Sequence, residues 1–437
     1  MANLRLGTAT SDITPPLGVG IPGSFEARWA ADIHDPLFAK AMVFEAGGQH
    51  AALVVCDVIC LLEQDTKRAK RRAQELTDIP ADNIMISATH THYGPATVTI
   101  FNTERDEDYC DWMAGQIADA VRRAQLSLRS VVMGYSRVAI PEEVHNRRWY
   151  MKDGSVVTNP GYLNPDRVRP AGPTDPELSL LAFMTPQGQP ASALMNYALH
   201  YVGGPYPNTI TADYFGFATA ALSGMLGTDF LAILANGVCG DINNCNFDKP
   251  EPEYPDPFYQ SRRVGNVVAT EAFKAWQQID QWANDIPVDV ANEYPIFRRR
   301  QLSLEQKQQM TKLLSESPQP DNSQWVYANE HRRLAQEPTQ RPAHIQVLRL
   351  GDVAVVGLPG EMFVEIGLAI KRQSPFPCTM VVELANDWLG YIPTDQALDE
   401  GGYETVLATS AKAAPGTAAQ WIQTAVGLLH ELHRLHS

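Results

Sequence analysis

The chain has 437 residues, of which 44% are hydrophobic and 19% are charged, a composition typical of a globular enzyme with one large domain or two. Its net charge of −15 argues against a nucleic-acid binder, which would need a basic face, and we interpret the acidity as a contribution to solubility. No apolar stretch is long enough to span a membrane, and the N-terminus has no apolar signal region.

The six cysteines are spread along the chain, without Cys-x-x-Cys pairs and without the dense spacing of a secreted disulfide framework. We therefore expect reduced thiols and a cytoplasmic protein. The expected partner is a small-molecule substrate, and nucleic acid is not expected to bind.

The first part of the chain alternates predicted strands and helices, which is the pattern of an α/β fold. Strands at 41–44 and 51–57 join through Gly47-Gly48, and a helix at 64–76 follows. A strand ending near residue 88 then leads to an amphipathic helix at 106–126.

The remaining elements are less regular. The segment 144–175 is expected to be an irregular loop, and a polar segment at about 286–345 is expected to form a helical arm or lid. The other predicted elements, in chain order, are a strand at 131–140, a hairpin at 178–183 and 191–198, a helix at 212–226, a strand at 230–234, a helix at 259–283, a hairpin at 345–358, a helix at 361–371, a strand at 380–384 and a helix at 416–435.

The motif Ala88-Thr89-His90-Thr91-His92-Tyr93-Gly94-Pro95 follows an apolar strand. Side chains alternate along an extended backbone, so His90 and His92 are expected to point the same way. Two imidazoles placed together can bind one metal ion or one substrate. On spacing alone, a loop without a metal is an equal alternative.

Other polar side chains also follow predicted strands. His200 and Glu361 would complete a zinc set of two histidines and one carboxylate, although spacing alone does not show that they converge. Glu361 would equally suit the N-terminus of the helix that it opens. Arg147, in the irregular segment, suits either a clamp on a substrate oxygen or a surface ion pair.

These motifs resemble those of the N-terminal catalytic domain of the neutral (non-lysosomal) ceramidase family, over most of the chain. The resemblance implies a mixed β-sheet core flanked by helices, in one catalytic domain spanning 1–437. It also implies a stand-alone homologue without the family's C-terminal immunoglobulin-like domain. The matching motifs are Ser11-Asp12-Ile13-Thr14-Pro15-Pro16, the segment from Ala88 to Pro95, Asn196-Tyr197-Ala198-Leu199-His200, Pro359-Gly360-Glu361, Gly390-Tyr391-Ile392-Pro393-Thr394 and Gly402-Tyr403-Glu404.

The resemblance also implies roles for individual residues. The implied Zn²⁺ ligands are His90, His200, Glu361 and Tyr391. The implied catalytic and substrate-contacting residues are His92, Arg147, Tyr391 and Tyr403. Asn243, in Gly240-Asp241-Ile242-Asn243-Asn244, occupies the position of a serine important in the family, and an amide cannot act as a nucleophile or proton carrier.

The function implied is zinc-dependent hydrolysis of an amide (N-acyl) bond by metal-activated water. The substrate is expected to be a small, possibly N-acylated molecule rather than ceramide, because the family's serine and second domain are missing. An esterase or lactonase with the same site is a close alternative. Asn243 also suggests a catalytically weak, zinc-stabilised binding protein.

Overall fold

Three β-sheets form the centre of the fold in the structure, a computed structural model that describes residues 3–227, 229–316 and 318–435. The first sheet has five strands: β1 (Arg5–Asp12), β2 (Phe38–Ala46), β3 (Gln49–Cys56), β4 (Ile84–Ala88) and β5 (Arg129–Ser130). Their spatial order is β4-β3-β2-β1-β5, and β3 and β4 run parallel. Helices α1 (Glu63–Thr77) and α2 (Glu107–Leu126) pack against this sheet.

The second sheet has the order β9-β8-β7-β6 and carries helices α3 (Asp213–Leu226) and α4 (Tyr259–Gln277). Its central strands β7 and β8 form the predicted hairpin, and β9 lies parallel to β8. The strands are β6 (Val132–Ala139), β7 (Glu177–Met184), β8 (Pro190–Tyr197) and β9 (Leu231–Asn236).

The third sheet has the order β10-β11-β12-β13, with β12 and β13 parallel. The strands are β10 (Val288–Glu293), β11 (Ile345–Leu350), β12 (Val353–Gly357) and β13 (Cys378–Val382). The remaining helices are α5 (Leu304–Leu314), α6 (Ser323–Gln336), α7 (Val364–Gln373), α8 (Asp395–Glu400) and α9 (Thr417–Arg434). Of these, α7 and α9 pack on the third sheet, and α5 and α6 lie within the segment predicted as an arm, whose first strand is β10.

A common core joins the three sheets. Phe44 of the first sheet, Phe183 of the second and Leu348 of the third belong to one buried cluster. Each sheet is thus covered by helices on one face and by the other sheets on the opposite face. Strands buried on both faces read as continuous apolar runs, which is how residues 51–56 of β3 and the whole of β12 appear in the sequence. The prediction of a mixed α/β core flanked by helices is confirmed.

Two sequence predictions of local structure away from the histidines and Glu361 are wrong. The segment 144–175 contains a small antiparallel sheet in which Arg148–Met151 pairs with Val156–Thr158 and with Arg167–Pro170. Its strands are short and separated by Gly and Pro turns, so they show little periodicity. Helix α4 ends at Gln277 rather than near residue 283, because Ala283 forms a backbone bridge with Met133 at the edge of the second sheet.

No described helix combines the length and apolar character needed to cross a bilayer. The six cysteines, all within the described ranges, form no disulfide, as the sequence predicts.

Helix α1 carries a buried amine. Lys70 is only 5% exposed, and its Nζ lies 3.4 Å from Nδ1 of His344. Burial lowers the pKa of Lys70 to about 7. Because a lysine in the unfolded chain keeps its proton up to about pH 10.4, the unfolded state binds more protons between these values, and stability rises with pH.

Replacing Lys70 with Met tests this. Between pH 7 and pH 10, the unfolding free energy of the native chain should rise relative to that of Lys70→Met, by on the order of 1.4 kcal/mol per pH unit. Urea denaturation at both pH values measures the difference. Lys307→Met, at an exposed lysine of α5 that does not contact Lys70, is the control and should run parallel to the native chain. Parallel profiles for Lys70→Met as well would contradict the argument.

Candidate active site

His90 lies two residues beyond the end of β4, where the backbone turns sharply. Its φ of +73° is in the left-handed region, which non-glycine residues rarely adopt. Its N–H donates to the carbonyl of Val58 at 3.0 Å, so this turn is fixed against the chain that follows β3. The prediction of an extended His-x-His segment is therefore wrong in its geometry, because the turn, not strand alternation, sets the directions of His90 and His92.

Three imidazoles nevertheless converge at this point. Nε2 of His90 lies 3.0 Å from Nε2 of His200 and 3.2 Å from Nε2 of His92. Coordinating atoms of the three rings all lie within 4.8 Å of one another. His200 follows the end of β8, so the first and second sheets each supply part of the cluster.

In each ring, the other nitrogen faces a backbone carbonyl. A carbonyl only accepts hydrogen bonds, so this contact assigns the proton to Nδ1 and leaves a lone pair on Nε2. The carbonyl partners of His90, His92 and His200, in that order, are Ile59 at 2.7 Å, Gly23 at 3.2 Å and Cys239 at 3.3 Å. The three lone pairs therefore face one another.

Three lone pairs that face one another favour the binding of a cation. Burial lowers the pKa of His92 and of His200 well below the ordinary value, which favours the neutral imidazole that ligates metals. Neutral rings cannot hydrogen-bond to each other when every inward nitrogen is an acceptor. A divalent metal ion relieves this repulsion by taking two or more of the lone pairs as ligands.

Glu361 supplies a carboxylate to the same point. Its Oε1 accepts a hydrogen bond from Nε1 of Trp388 at 2.8 Å. Its Oε2 lies 3.3 Å from Nε2 of His90 but is buried and has no hydrogen-bond partner among the described residues. A buried carboxylate oxygen that lies beside the imidazoles and has no hydrogen-bond partner fits a metal ligand.

A short parallel strand pair positions this carboxylate. Glu361–Met362 pairs with Tyr391–Ile392, with Glu361 directly opposite Tyr391. The prediction that a helix begins at Glu361 is wrong, because α7 begins at Val364. The preceding Gly360 has φ +122°, and a Cβ there would lie 2.7 Å from the carbonyl oxygen of Gly390, so the pairing requires glycine at this position.

Arg147 lies behind Tyr391 rather than at the surface. Its Nη2 donates to the hydroxyl of Tyr391 at 3.0 Å, and its Nε donates to Oε1 of Glu404 at 2.7 Å. Both Arg147 and Glu404 are buried, so each charge depends on the other. The alternative of a surface ion pair is thereby excluded, and Arg147 is placed to orient the tyrosine hydroxyl.

The remaining predicted residues divide into two groups. Tyr403 lines the cavity beside the histidines, and its ring centroid lies 6.0 Å from that of Tyr391. Asn243 does not line that cavity in the described part of the chain. Its Nδ2 donates to Oδ1 of Asn159 at 2.7 Å, and its Oδ1 accepts from the N–H of Cys245 at 3.0 Å. The amide therefore holds local backbone together.

Sequence reasoning missed several contributors to the site. Trp388 orients Glu361, Glu404 neutralises Arg147, and Ser410 brings a hydroxyl to the cavity lining. Trp388 follows β13 within a polar stretch, which is the same strand-end signal that identified Glu361. Neither Glu404 nor Ser410 follows a main strand, so their places depend on tertiary structure.

Comparison with known proteins shows which proteins this chain resembles in sequence and in fold. The chain is an α/β protein with a buried candidate metal centre. No family model matches it. A curated relative, the neutral ceramidase of Pseudomonas aeruginosa, is 25% identical over 278 residues, which is 60% of this chain and 40% of the relative's length.

Solved structures agree over nearly the whole chain. The crystal structure of neutral ceramidase from Pseudomonas aeruginosa matches with a TM-score of 0.76 at 20% identity, over 99% of this chain and 75% of that one. A ceramidase complexed with C2 matches with a TM-score of 0.77, also at 20% identity, over 99% and 76%. The chain is a distant homologue of neutral ceramidase and has its fold.

The convergence of these ligand atoms predicts that the purified protein contains a metal ion. The purified protein should hold about one divalent metal ion per chain, because three imidazole nitrogens and a carboxylate oxygen converge on one point. His90→Ala removes the central nitrogen and should lose most of the metal. Elemental analysis of protein never exposed to a chelator measures this, with His34→Ala, an exposed histidine outside the cluster, as the control. Metal-free native protein would contradict the interpretation.

Proposed function

We propose that this protein is a zinc-dependent hydrolase that cleaves the amide (N-acyl) bond of a small molecule. The observation that carries the proposal is the convergence of the Nε2 atoms of His90, His92 and His200 beside the unpaired Oε2 of Glu361. The homology to neutral ceramidase supports it.

In this proposal, His90, His200 and Glu361 would hold the zinc ion, and two imidazoles with one carboxylate are a ligand set typical of catalytic zinc sites. A zinc ion bound there would lower the pKa of a coordinated water and polarise a carbonyl oxygen. Ile59 and Trp388 keep His90 and Glu361 in orientation through the hydrogen bonds that they make to the outer atoms of these ligands.

Tyr391 is assigned to the carbonyl oxygen of the substrate, or to the metal as a further ligand. The guanidinium of Arg147 donates to its hydroxyl oxygen, so the hydroxyl proton is free to point away from Arg147. Negative charge that develops on the carbonyl oxygen would accept that proton in a hydrogen bond. Because Glu404 neutralises Arg147, this pair orients the hydroxyl without adding net charge.

His92 and Tyr403 are assigned to the substrate. His92 is stacked on Tyr201 at a centroid distance of 3.7 Å and is held by the carbonyl of Gly23. Its Nε2 can therefore accept a hydrogen bond from a water or an amide N–H that approaches the metal ligands. Tyr403 brings a second phenol to the same cavity.

An esterase or lactonase is the second candidate, because the same groups would act on an ester carbonyl. The binding-protein alternative is not supported, since the amide of Asn243 lies outside the cavity lining. Turnover of a matched panel of N-acyl amides and O-acyl esters by zinc-loaded protein separates the three. Amide cleavage supports the proposal, ester cleavage alone supports the second candidate, and no turnover supports a binding protein.

Substitutions that spare the metal ligands should lower turnover. His92→Ala and Tyr403→Phe should each reduce kcat/KM by roughly a hundredfold, the usual loss for one well-placed polar group at the reacting centre. Removing Arg147 alone would take away the closest cation of the buried Glu404 and leave it only the more distant Arg148, so the double variant Arg147→Met/Glu404→Gln is the better test. Zinc content and thermal unfolding, measured on each variant, separate catalytic from structural loss.

Asn243→Ala is the comparison variant for these substitutions, because Asn243 lies outside the cavity lining. Its amide bonds to Asn159 and Cys245, so its loss should reduce turnover only modestly. Wild-type turnover in His92→Ala, Tyr403→Phe and the double variant alike would remove the support for these roles.

A further inference from the structure

The space beside the candidate metal centre is very small. Its volume is about 30 Å³. A water needs roughly 10–15 Å³ on this measure, whereas pockets for drug-sized ligands span about 300–1,000 Å³. The cavity therefore has room for a few atoms next to the ligands and not for a long chain. Its apolar lining is made by Ile59, Val98, Ile100 and Phe101.

Phe101 closes this apolar side. Its side chain is 3% exposed, and its ring stacks on Phe25 with centroids 4.3 Å apart and planes 22° apart. Tyr327 of α6 packs edge-on at 6.5 Å from Phe101 and at 5.8 Å from Phe25. We call these three residues the aromatic cap.

The backbone of Phe101 is fixed in place. Its N–H donates to Oε1 of Glu330 at 2.9 Å, and its carbonyl accepts from Nη1 of Arg333 at 2.7 Å. Glu330 is fully buried, and its second oxygen accepts from the hydroxyl of Thr409. Displacing Phe101 would leave a buried carboxylate short of a donor, which costs free energy. Phe101 is thus a fixed wall, unlike an exposed side chain that can swing aside.

The segment that begins at Gly23 closes the cavity beside His92. Gly23 has φ +88°, and a Cβ there would lie 2.4 Å from Nδ1 of His92, so the chain between Gly23 and Phe25 lies directly on the site. Asn102 donates to the carbonyl of Phe25 at 2.7 Å and so ties this segment to the Phe101 loop. Both walls of the cavity are therefore linked to each other.

We infer that the aromatic cap restricts the substrate to short acyl groups, such as acetyl or propionyl. This inference rests on the proposed function and adds to it the class of substrate. The acyl group enters the apolar side, where Phe101 limits its length. Outward movement of α6 with Tyr327 is the competing account, and it predicts that long chains bind as well as short ones.

Hydroxamates of different chain length test the cap without turnover, because they share one zinc-binding head group. Isothermal titration of zinc-loaded native protein should show acetohydroxamate binding at least roughly tenfold more tightly than octanohydroxamate. Phe101→Gly should bring the ratio to one or reverse it. Glycine suits the φ of +52° at this position, so the variant should fold. Phe101→Ala is a second variant with the same expected direction.

Phe247→Ala is the matched control, because Phe247 is a buried aromatic residue that lies outside the cap and the cavity lining. It should keep the native preference. Equal or tighter binding of octanohydroxamate by native protein, or an unchanged ratio in both Phe101 variants, would overturn the inference and leave the proposed function standing. If native zinc-loaded protein binds neither hydroxamate, the proposed function fails and the inference fails with it.

Discussion

The mutual repulsion of three imidazole lone pairs, relieved by a cation, is the interaction on which the rest of the site depends. The rings of His90, His92 and His200 cannot rotate away from it, because each Nδ1 is bound to a backbone carbonyl. Burial lowers the pKa of His92 and of His200, since it disfavours the charged imidazolium. The chain thus keeps in place a geometry that is unfavourable alone and favourable around a divalent ion.

The three-sheet architecture makes this convergence possible. The first sheet ends near His90, the second near His200, and β12 of the third leads to Glu361. Each sheet is held by helices on one face and by the common core on the other, so the strand ends have fixed positions. Loops that follow them can then hold strained backbone, such as the left-handed His90, because the surrounding contacts over-determine it. The cost of that strain is offset by the packing of the whole domain.

A second layer of polar contacts connects the site to the rest of the chain. Arg147 and Glu404 form a buried pair that holds Tyr391, and Glu330 of α6 fixes the aromatic cap. Such pairs contribute little net stability, because desolvation cancels much of the attraction. Their placement around one cavity is better explained by orientation of the groups that face it.

The amino-acid sequence predicts the elements of this fold well, because buried strands such as β3 and β12 contain apolar runs and the long helices are amphipathic. The motifs around His90, His200 and Glu361 also identify the residues that converge. Periodicity could not predict how they do so, since His90 adopts a left-handed turn and Glu361 lies in a two-residue strand. Nor could it find the partner Glu404, whose role arises from contacts between segments distant in sequence.

Zinc K-edge X-ray absorption of the zinc-loaded protein tests the central claim most directly. The account predicts a first shell of nitrogen and oxygen at about 2.0–2.1 Å, with the outer scattering of two or three imidazoles, and no sulfur at about 2.3 Å. Sulfur is a real competitor, because Cys60 lines the cavity and the carbonyl of Cys239 contacts His200. A sulfur shell, or a first shell without imidazole scattering, would contradict the account.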